Sequence, residues 1–124
     1  MLDMSRLRSV YVDPLTCTAT VGVGCRAGDI DRETALHNLL LPLGFAPTTG
    51  MALVFGGGVG LASRQFGLPM DCLESVTLVT AQGRVVQASA EQHPELFWGL
   101  HGYGANLGVI THLTLRLHPG NYGR

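Results

Sequence analysis

Three glycine-rich segments stand out as places where the main chain could bind a ligand. Residues 48–50 read Thr-Thr-Gly, residues 56–60 read Gly-Gly-Gly-Val-Gly, and residues 102–108 read Gly-Tyr-Gly-Ala-Asn-Leu-Gly. Because glycine has no Cβ, a run of glycines lets backbone N–H groups come within hydrogen-bonding distance of a ligand. Three such segments in one small chain, each beside an apolar run, indicate a long ligand held mainly by main-chain groups. A dinucleotide has that shape.

The two threonines of the first segment offer hydroxyl and N–H groups that suit a pyrophosphate. The alternative is an ordinary turn after Pro47; the closeness of the second glycine segment favours the phosphate cradle. All eight basic residues are arginine. The absence of lysine excludes a Walker-type phosphate loop and a lysine Schiff base. Met51 and the apolar residues that follow it would pack against an apolar ring or against the core, and the sequence leaves both options open.

A second candidate for a nucleotide site is the segment 22–27, which reads Gly-Val-Gly-Cys-Arg-Ala. The dinucleotide fingerprint also needs an acidic residue about 20 positions further on to hold the ribose. Residues 40–55 contain no acid, so the segment is interpreted as a strand-to-helix turn. The histidines and cysteines have no metal-ligand spacing, and no nucleophile–base arrangement is readable. No metal site is therefore predicted.

The amino-acid composition limits the classes of protein to which this chain can belong. Apolar residues make up 46% of the chain and charged residues 14%, with a net charge of −1. This balance predicts a folded domain and argues against a nucleic-acid partner. Three cysteines with no framework spacing and no signal-like N-terminus suggest reduced thiols and a cytoplasmic location. The apolar run 50–62 is shorter than the roughly 20 residues that a membrane helix needs, so no membrane span is predicted.

The hydrophobic pattern predicts an α+β fold with a mostly antiparallel sheet and flanking helices. A first hairpin joins residues 9–12 to 18–23 through a turn at Asp13 and Pro14, and a second joins 75–80 to 85–88. One helix is expected from about Asp29 to Leu40 and another from Pro94, ended by Gly102. Residues 45–60 are expected to be loop and short strand, and residues 109–117 to be the final strand.

The segment 47–71, from Pro-Thr-Thr-Gly through the triple glycine to Gly-Leu-Pro-Met-Asp, resembles the FAD-binding (PCMH-type) domain of the vanillyl-alcohol-oxidase and berberine-bridge-like oxidoreductases. Residues 80–86, 93–98 and 104–111 follow the pattern of that family in the same order and spacing. The resemblance covers about residues 2–119. It identifies residues 1–124 as the C-terminal part of such a domain.

What the resemblance implies is FAD, bound with its pyrophosphate on main-chain amides. In such enzymes the flavin accepts a hydride from an organic substrate and usually passes electrons to oxygen, while the protein supplies positioning and electrostatics. Val109 would hold the adenosine part through its backbone. The contacts of the family would fall on Pro42, Thr48, Thr49, Gly50, Met51, Gly56, Gly57, Gly58 and Val109.

The chain also departs from the family. A strand–loop–strand unit that wraps the pyrophosphate and often bears a flavin-linked histidine is expected upstream of Met1, and a separate substrate domain is not in the sequence. Ala46 stands where some relatives have a second flavin-linking cysteine, and Cys72 follows Asp71 where asparagine is commoner. His101 and Tyr103 stand where arginine and glycine are usual.

Two hypotheses follow from these departures. The chain is part of an FAD-dependent oxidoreductase that works when the missing half-domain is supplied, for example by a second chain. Alternatively, it is a non-catalytic remnant or interaction module that does not bind FAD on its own. Either hypothesis predicts an exposed apolar face, since strands that pack on the missing half would lose their cover.

Overall fold

Seven strands and four α-helices make up the computed structural model of the chain, which describes residues 1–102 and 106–120. The strands are β1 (Val10–Asp13), β2 (Thr18–Gly22), β3 (Leu39–Leu40), β4 (Leu73–Val79), β5 (Val85–Ser89), β6 (Val109–Arg116) and β7 (His118–Pro119). The helices are α1 (Ala27–Ala35), α2 (Ala52–Phe55), α3 (Ser63–Phe66) and α4 (Pro94–Gly99). A 3₁₀-helix at Pro69–Cys72 leads directly into β4.

Five strands form one sheet in the order β1-β2-β6-β4-β5, with every neighbouring pair antiparallel. The short strands β3 and β7 form a second, two-stranded sheet. One face of the large sheet packs into the core, and its inner strands bury alternate apolar residues there. Those side chains include Val21, Val76, Leu78, Leu113 and Leu115. Helix α1 packs beside β1, and α4 packs beside β5, which confirms the predicted α+β fold class.

Both predicted hairpins are confirmed. In the first, the Asp13 carboxylate accepts hydrogen bonds from the N–H groups of Leu15 and Thr16, at 3.0 and 3.4 Å. This is the local bonding by which aspartate stabilises a turn. In the second hairpin, Gly83 has a φ of 78°, a left-handed conformation that favours glycine. Local turn chemistry was therefore enough to predict these two elements.

The long strands β4 and β6 pair with two irregularities. Thr77 lies opposite His112 while Leu78 lies opposite Ile110, so Thr111 is an extra residue on β6. A β-bulge of this kind reverses the inward and outward alternation of the strand. Ile110 is consequently placed on the same face as Leu113, three positions away. Thr111 is itself satisfied, since its carbonyl accepts a hydrogen bond from Val23 N–H at 2.8 Å.

The prediction of one helix reaching Leu40 was wrong. Helix α1 begins at Ala27, with Asp29 in its first turn as expected, and ends at Ala35. The chain then turns at Asn38, whose φ of 55° is incompatible with a continuing helix. Leu39 and Leu40 pair instead with β7. Pairing with the distant strand β7 determines the conformation of residues 39–40, so the pattern of apolar residues alone could not predict it.

The prediction of loop and short strand for residues 45–60 was wrong in part. A single helical turn, α2, lies between the first two glycine segments, and it buries Val54 and Phe55. The only strand-like feature described there is an isolated bridge between Arg26 and Gly50. The predicted helix at Pro94 is confirmed with proline in its first turn, although it ends at Gly99.

No helix within residues 1–102 and 106–120 has the length and apolar character required to cross a membrane. In the third glycine segment, Gly102 and residues 106–108 are described. Tyr103, Gly104 and Ala105 lie outside the described residues.

Candidate functional site

A surface cavity of about 620 Å³ lies where the first two glycine segments meet the start of β6. Its apolar side chains come from Met4, Val23, Met51, Ala52, Phe55, Val109 and Ile110, and its glycines are Gly50, Gly56, Gly102 and Gly108. Of the nine predicted contact residues, the structure therefore brings Gly50, Met51, Gly56 and Val109 together. Residues that are up to about a hundred positions apart in the sequence meet at this cavity, because the sheet places β6 next to β2.

Gly50 is the residue of this cavity that internal packing does not explain. A Cβ built on Gly50 would meet no atom of the chain within 4 Å, and its φ lies outside the left-handed region. Neither backbone strain nor crowding within the chain therefore requires glycine here. The open space over Gly50 belongs to the cavity, where a missing side chain lets a ligand approach the main chain.

The other glycines of the second segment have different surroundings. A Cβ on Gly58 would collide with the side chain of Leu53, and one on Gly56 would lie 2.9 Å from the carbonyl of Ala52. The N–H groups of Gly56 and Gly58 donate to Ala52 and Leu53, at 2.8 and 3.0 Å. Gly57 differs from both, because its Cβ position is open and its N–H donates to no backbone carbonyl among the described residues.

Thr48, Thr49 and Pro42 lie away from the lining of the 620 Å³ cavity. Thr49 N–H donates to Ala46 in a turn, at 3.1 Å, and Thr48 is exposed. Pro42 is buried and lines a separate cavity of about 450 Å³ beside α1. The structure thus divides the predicted residues among the 620 Å³ cavity, the segments beside it and, for Pro42, the 450 Å³ cavity.

Met51 packs in the core, which is one of the two options that the sequence left open, and it also borders the cavity. Its side chain is only 2% exposed and belongs to the hydrophobic core, yet it also forms part of the cavity wall. Sequence reasoning missed Met4, Val23 and Ile110 as lining residues, whereas Phe55 is one of the apolar residues after Met51 that it placed against a ring or the core. The three missed residues are ordinary apolar residues with no chemical signature, so no signal in the sequence distinguishes them from the core.

The cavity has no charged side chain among its described lining residues. Burial raises the pKa of the nearby Cys25 thiol, and the charge of Asp29 raises that pKa further. Cys25 is therefore a neutral thiol at neutral pH, so it is unsuited to act as a nucleophile. Within the described part of the chain, no three His, Cys, Asp or Glu side chains are grouped as a metal site would require.

An apolar recess bordered by accessible main chain suits the flat ring of a nucleotide cofactor better than a metal ion or a small acid. The size of the cavity is within the range of about 300–1,000 Å³ that is usual for such ligands. The open N–H of Gly57 adds a main-chain donor on the adjoining surface, where a phosphate could be met. The residues present therefore fit the ring and main-chain contacts that FAD requires.

Comparison with known proteins also indicates an FAD-binding domain. The sequence profile described as "FAD binding domain" matches residues 1–89. The chain is 38% identical over 120 residues to an FAD-linked oxidoreductase of Dictyostelium discoideum, covering 96% of this chain and 26% of that protein. It thus spans about a quarter of the length of the curated relatives it matches.

Solved structures are similar to this chain in fold as well as in sequence. The crystal structure of 6-hydroxy-D-nicotine oxidase from Arthrobacter nicotinovorans superposes with a TM-score of 0.92 at 36% identity, covering 95% of this chain and 26% of that one. Glucooligosaccharide oxidase from Acremonium strictum, a structure described for its 6-S-cysteinyl, 8α-N1-histidyl FAD, gives a TM-score of 0.89 at 33% identity. That match covers 94% of this chain and 25% of the oxidase.

The matching profile and the shared fold define the chain as a cofactor-binding domain of the flavoprotein class. More specifically, it belongs to the FAD-binding domain family of the FAD-linked oxidoreductases. The cofactor of this family is FAD. The resemblance to the vanillyl-alcohol-oxidase and berberine-bridge-like enzymes is thereby confirmed.

Proposed function

We propose that this chain forms the C-terminal part of the FAD-binding domain of an FAD-dependent oxidoreductase. The observation that carries the proposal is the 620 Å³ cavity with Gly50 at its border, where glycine is needed neither for backbone conformation nor for packing. A ligand that approaches the main chain closely explains that glycine, and a flavin nucleotide fits the lining.

Within this proposal the nine residues have two roles. Gly50, Met51, Gly56 and Val109 contact the cofactor in the cavity, because they are the ones that line it. The second role, forming the segments beside the cavity, falls to Gly57, Gly58, Thr48, Thr49 and Pro42. Among these, Gly57 and Thr48 offer N–H groups to the cofactor, because the N–H groups of Gly58 and Thr49 donate within the chain. The open Cβ position and N–H of Gly57 support this second role.

When bound, FAD supplies the redox chemistry by accepting a hydride from an organic substrate, with oxygen as the acceptor that restores it. The residues of this chain bind and orient the cofactor. The side chains of Met51, Phe55 and Ile110 exclude water from one side of it, since they form an apolar wall. Substrate choice belongs to sequence beyond the quarter of the relatives that this chain spans, and a second chain is one way to supply it. We place the protein in the cytoplasm, as its reduced cysteines suggest.

The test is a titration of the purified chain with FAD, followed by visible absorbance and flavin fluorescence. We expect saturable binding by the wild-type chain. Gly50→Ala should fold normally, because its added Cβ meets no atom of the protein within 4 Å. Its Cβ occupies ligand space instead, so we expect the Kd for FAD to rise roughly tenfold, as about 1.4 kcal/mol of lost affinity would give.

Gly44→Ala is the matched control. Its added Cβ would lie 3.4 Å from Leu53, an ordinary contact, and Gly44 does not line the 620 Å³ cavity. We expect its Kd to equal that of the wild type. A chain that takes up no FAD in any titration would support the alternative function, a remnant or interaction module without cofactor.

A further inference from the structure

The N-terminal segment 4–8 lies across the turn at residues 22–24 and places Met4 in the wall of the cavity. Gly24 N–H donates to the carbonyl of Leu7 at 2.8 Å, and Gly22 N–H donates to that of Ser9 at 2.9 Å. A Cβ on Gly22 or Gly24 would collide with the carbonyl oxygens of Leu7 or Met4. Only glycine allows this close approach. The turn that mimics a dinucleotide fingerprint is thus covered by the chain itself.

The opposite wall is attached to the same region. Ala27 N–H donates to the carbonyl of Thr49 at 2.8 Å, and Gly28 N–H donates to that of Pro47 at 2.9 Å. Gly50 completes this junction through its bridge with Arg26. The start of α1 therefore holds the loop that carries Gly50 into the cavity, while the preceding turn holds Met4 on the other side.

One carboxylate connects the two walls. Both carboxylate oxygens of Asp29 accept hydrogen bonds from the Arg8 guanidinium. Arg8 Nη2 donates at 2.8 and 2.9 Å, and Arg8 Nε donates at 3.2 Å. The same carboxylate accepts the N–H of Arg26 at 2.9 Å. The hydrogen bond from Arg26 N–H is the largest cause that lowers the pKa of Asp29, and the bonds from Arg8 lower that pKa further. A fork of this geometry fixes orientation as well as distance.

We propose that Arg8 and Asp29 are positioning residues for the cofactor cavity, although neither lines it. Their ion pair anchors segment 4–8 to the start of α1, which sets Met4 at a fixed distance from Gly50. The inference rests on the proposed function, because it assigns the distance between the walls a role in FAD binding. It adds that cofactor affinity depends on a contact outside the cavity.

The test compares Arg8→Gln, Arg8→Lys and the control Arg84→Gln in the full chain. Arg84 is an exposed arginine of the second hairpin, outside the cavity. Arg8→Gln should raise the Kd for FAD about tenfold, within the range measured for residues that act through others. Arg8→Lys keeps the charge but loses the fork, so it should recover part of the affinity. Arg84→Gln should bind as the wild type does.

A second measurement does not depend on FAD. Amide hydrogen exchange should become faster at Leu7 and Gly24 in Arg8→Gln, because the segment is released, and should be unchanged in Arg84→Gln. In a double-mutant cycle, Asp29→Asn should have a smaller effect on Kd when Arg8 is already glutamine. That coupling separates an effect of the ion pair from a general loss of stability.

Unchanged exchange at Leu7 and Gly24 in Arg8→Gln would overturn the inference, whatever the affinity for FAD. Equal FAD affinity of the wild type and Arg8→Gln, with the wild type binding, would overturn it too. A wild-type chain that binds no FAD would contradict the proposed function, and with it the ligand role of the pair. The exchange data would still decide whether the pair holds the wall.

Discussion

Glycines of the same stretch of sequence have different roles in this protein. Gly50 faces open space, whereas a Cβ on Gly60 would collide with the carbonyl of Pro42 and lie 2.5 Å from that of Leu43. Gly60 is therefore a packing residue that lets two backbone segments touch, and Gly50 is a ligand-facing residue. The sequence predicted that the glycine-rich stretch matters, but it could not sort these roles. Which atoms approach each glycine is set by distant parts of the chain.

This distinction predicts opposite phenotypes for two identical substitutions. Gly60→Ala should lower the free energy of unfolding by about 2 kcal/mol, because backbone atoms cannot yield to the new methyl group. Gly50→Ala should leave it nearly unchanged. Urea denaturation of both variants, followed by circular dichroism, measures the difference. A Gly60→Ala chain as stable as the wild type would show that the segments at Pro42 and Gly60 separate easily.

At the scale of elements, the small sheet of β3 and β7 ties the glycine-rich region to the core. His118 of β7 stacks on Phe66 of α3 with ring centroids 4.3 Å apart and an interplanar angle of 13°. Its Nε2 lies 3.7 Å from the buried Sγ of Cys72. Helix α3 follows the second glycine segment directly, so this stacking fixes the end of that segment. The short strands themselves could not be predicted, since two-residue strands carry almost no periodic signal.

The same contact predicts a dependence of stability on pH. Burial, followed by the charge of Arg116, lowers the pKa of His118 from its ordinary value of 6.5. The folded state therefore favours neutral His118. Its contribution to stability is complete above the unfolded pKa and is lost as the pH falls through the folded pKa.

We expect the urea midpoint of the wild type to fall between about pH 7 and pH 5, the range on either side of the histidine pKa. His118→Phe keeps a ring against Phe66 but cannot be protonated, so its midpoint should fall less. Denaturation curves of both proteins at several pH values measure this. An identical decline in the two chains would assign the dependence to other groups.

At the scale of the whole molecule, large apolar side chains remain exposed on one edge. Phe45, Val59 and Leu61 are 83%, 65% and 64% exposed. Leu61 N–H donates to the carbonyl of Leu43 at 3.0 Å, so the segments that carry these residues lie side by side. An apolar edge of this kind is uncommon on a monomer and favours association. Phe45, Val59 and Leu61 lie outside the strands, so the exposed strand face expected from the sequence stays a prediction.

The apolar edge of Phe45, Val59 and Leu61 predicts association that depends on concentration. The double variant Phe45→Ser, Leu61→Ser should shift the protein toward monomer in sedimentation velocity, because it removes apolar area from the contact. Val85→Ser is the control, since Val85 is 73% exposed but belongs to the second hairpin. A wild-type chain that sediments as a monomer at all concentrations would contradict the prediction.

The fold class was predictable because hairpins and the helix at Pro94 are specified by local signals, such as the Asp13 turn and the proline itself. The closing of the cavity was not, because it depends on pairing between β2 and β6, which are about ninety residues apart. The family resemblance supplied the cofactor where composition and periodicity could not. Only coordinates could show that Met4 and Ile110 face the same space.

The extra residue at Thr111 has a consequence for how this protein can evolve. Upstream of it, Val109 and Ile110 both border the cavity, while downstream Leu113 and Leu115 are committed to the interior. Strand β6 therefore begins with residues that border the cavity and continues with residues that are buried in the core. Val109 is 38% exposed, whereas Ile110 also packs against the core. Substitutions at position 109 can therefore change what is recognised without repacking the interior, so a laboratory library aimed at new cofactor analogues should randomise position 109 and leave 110, 113 and 115 untouched.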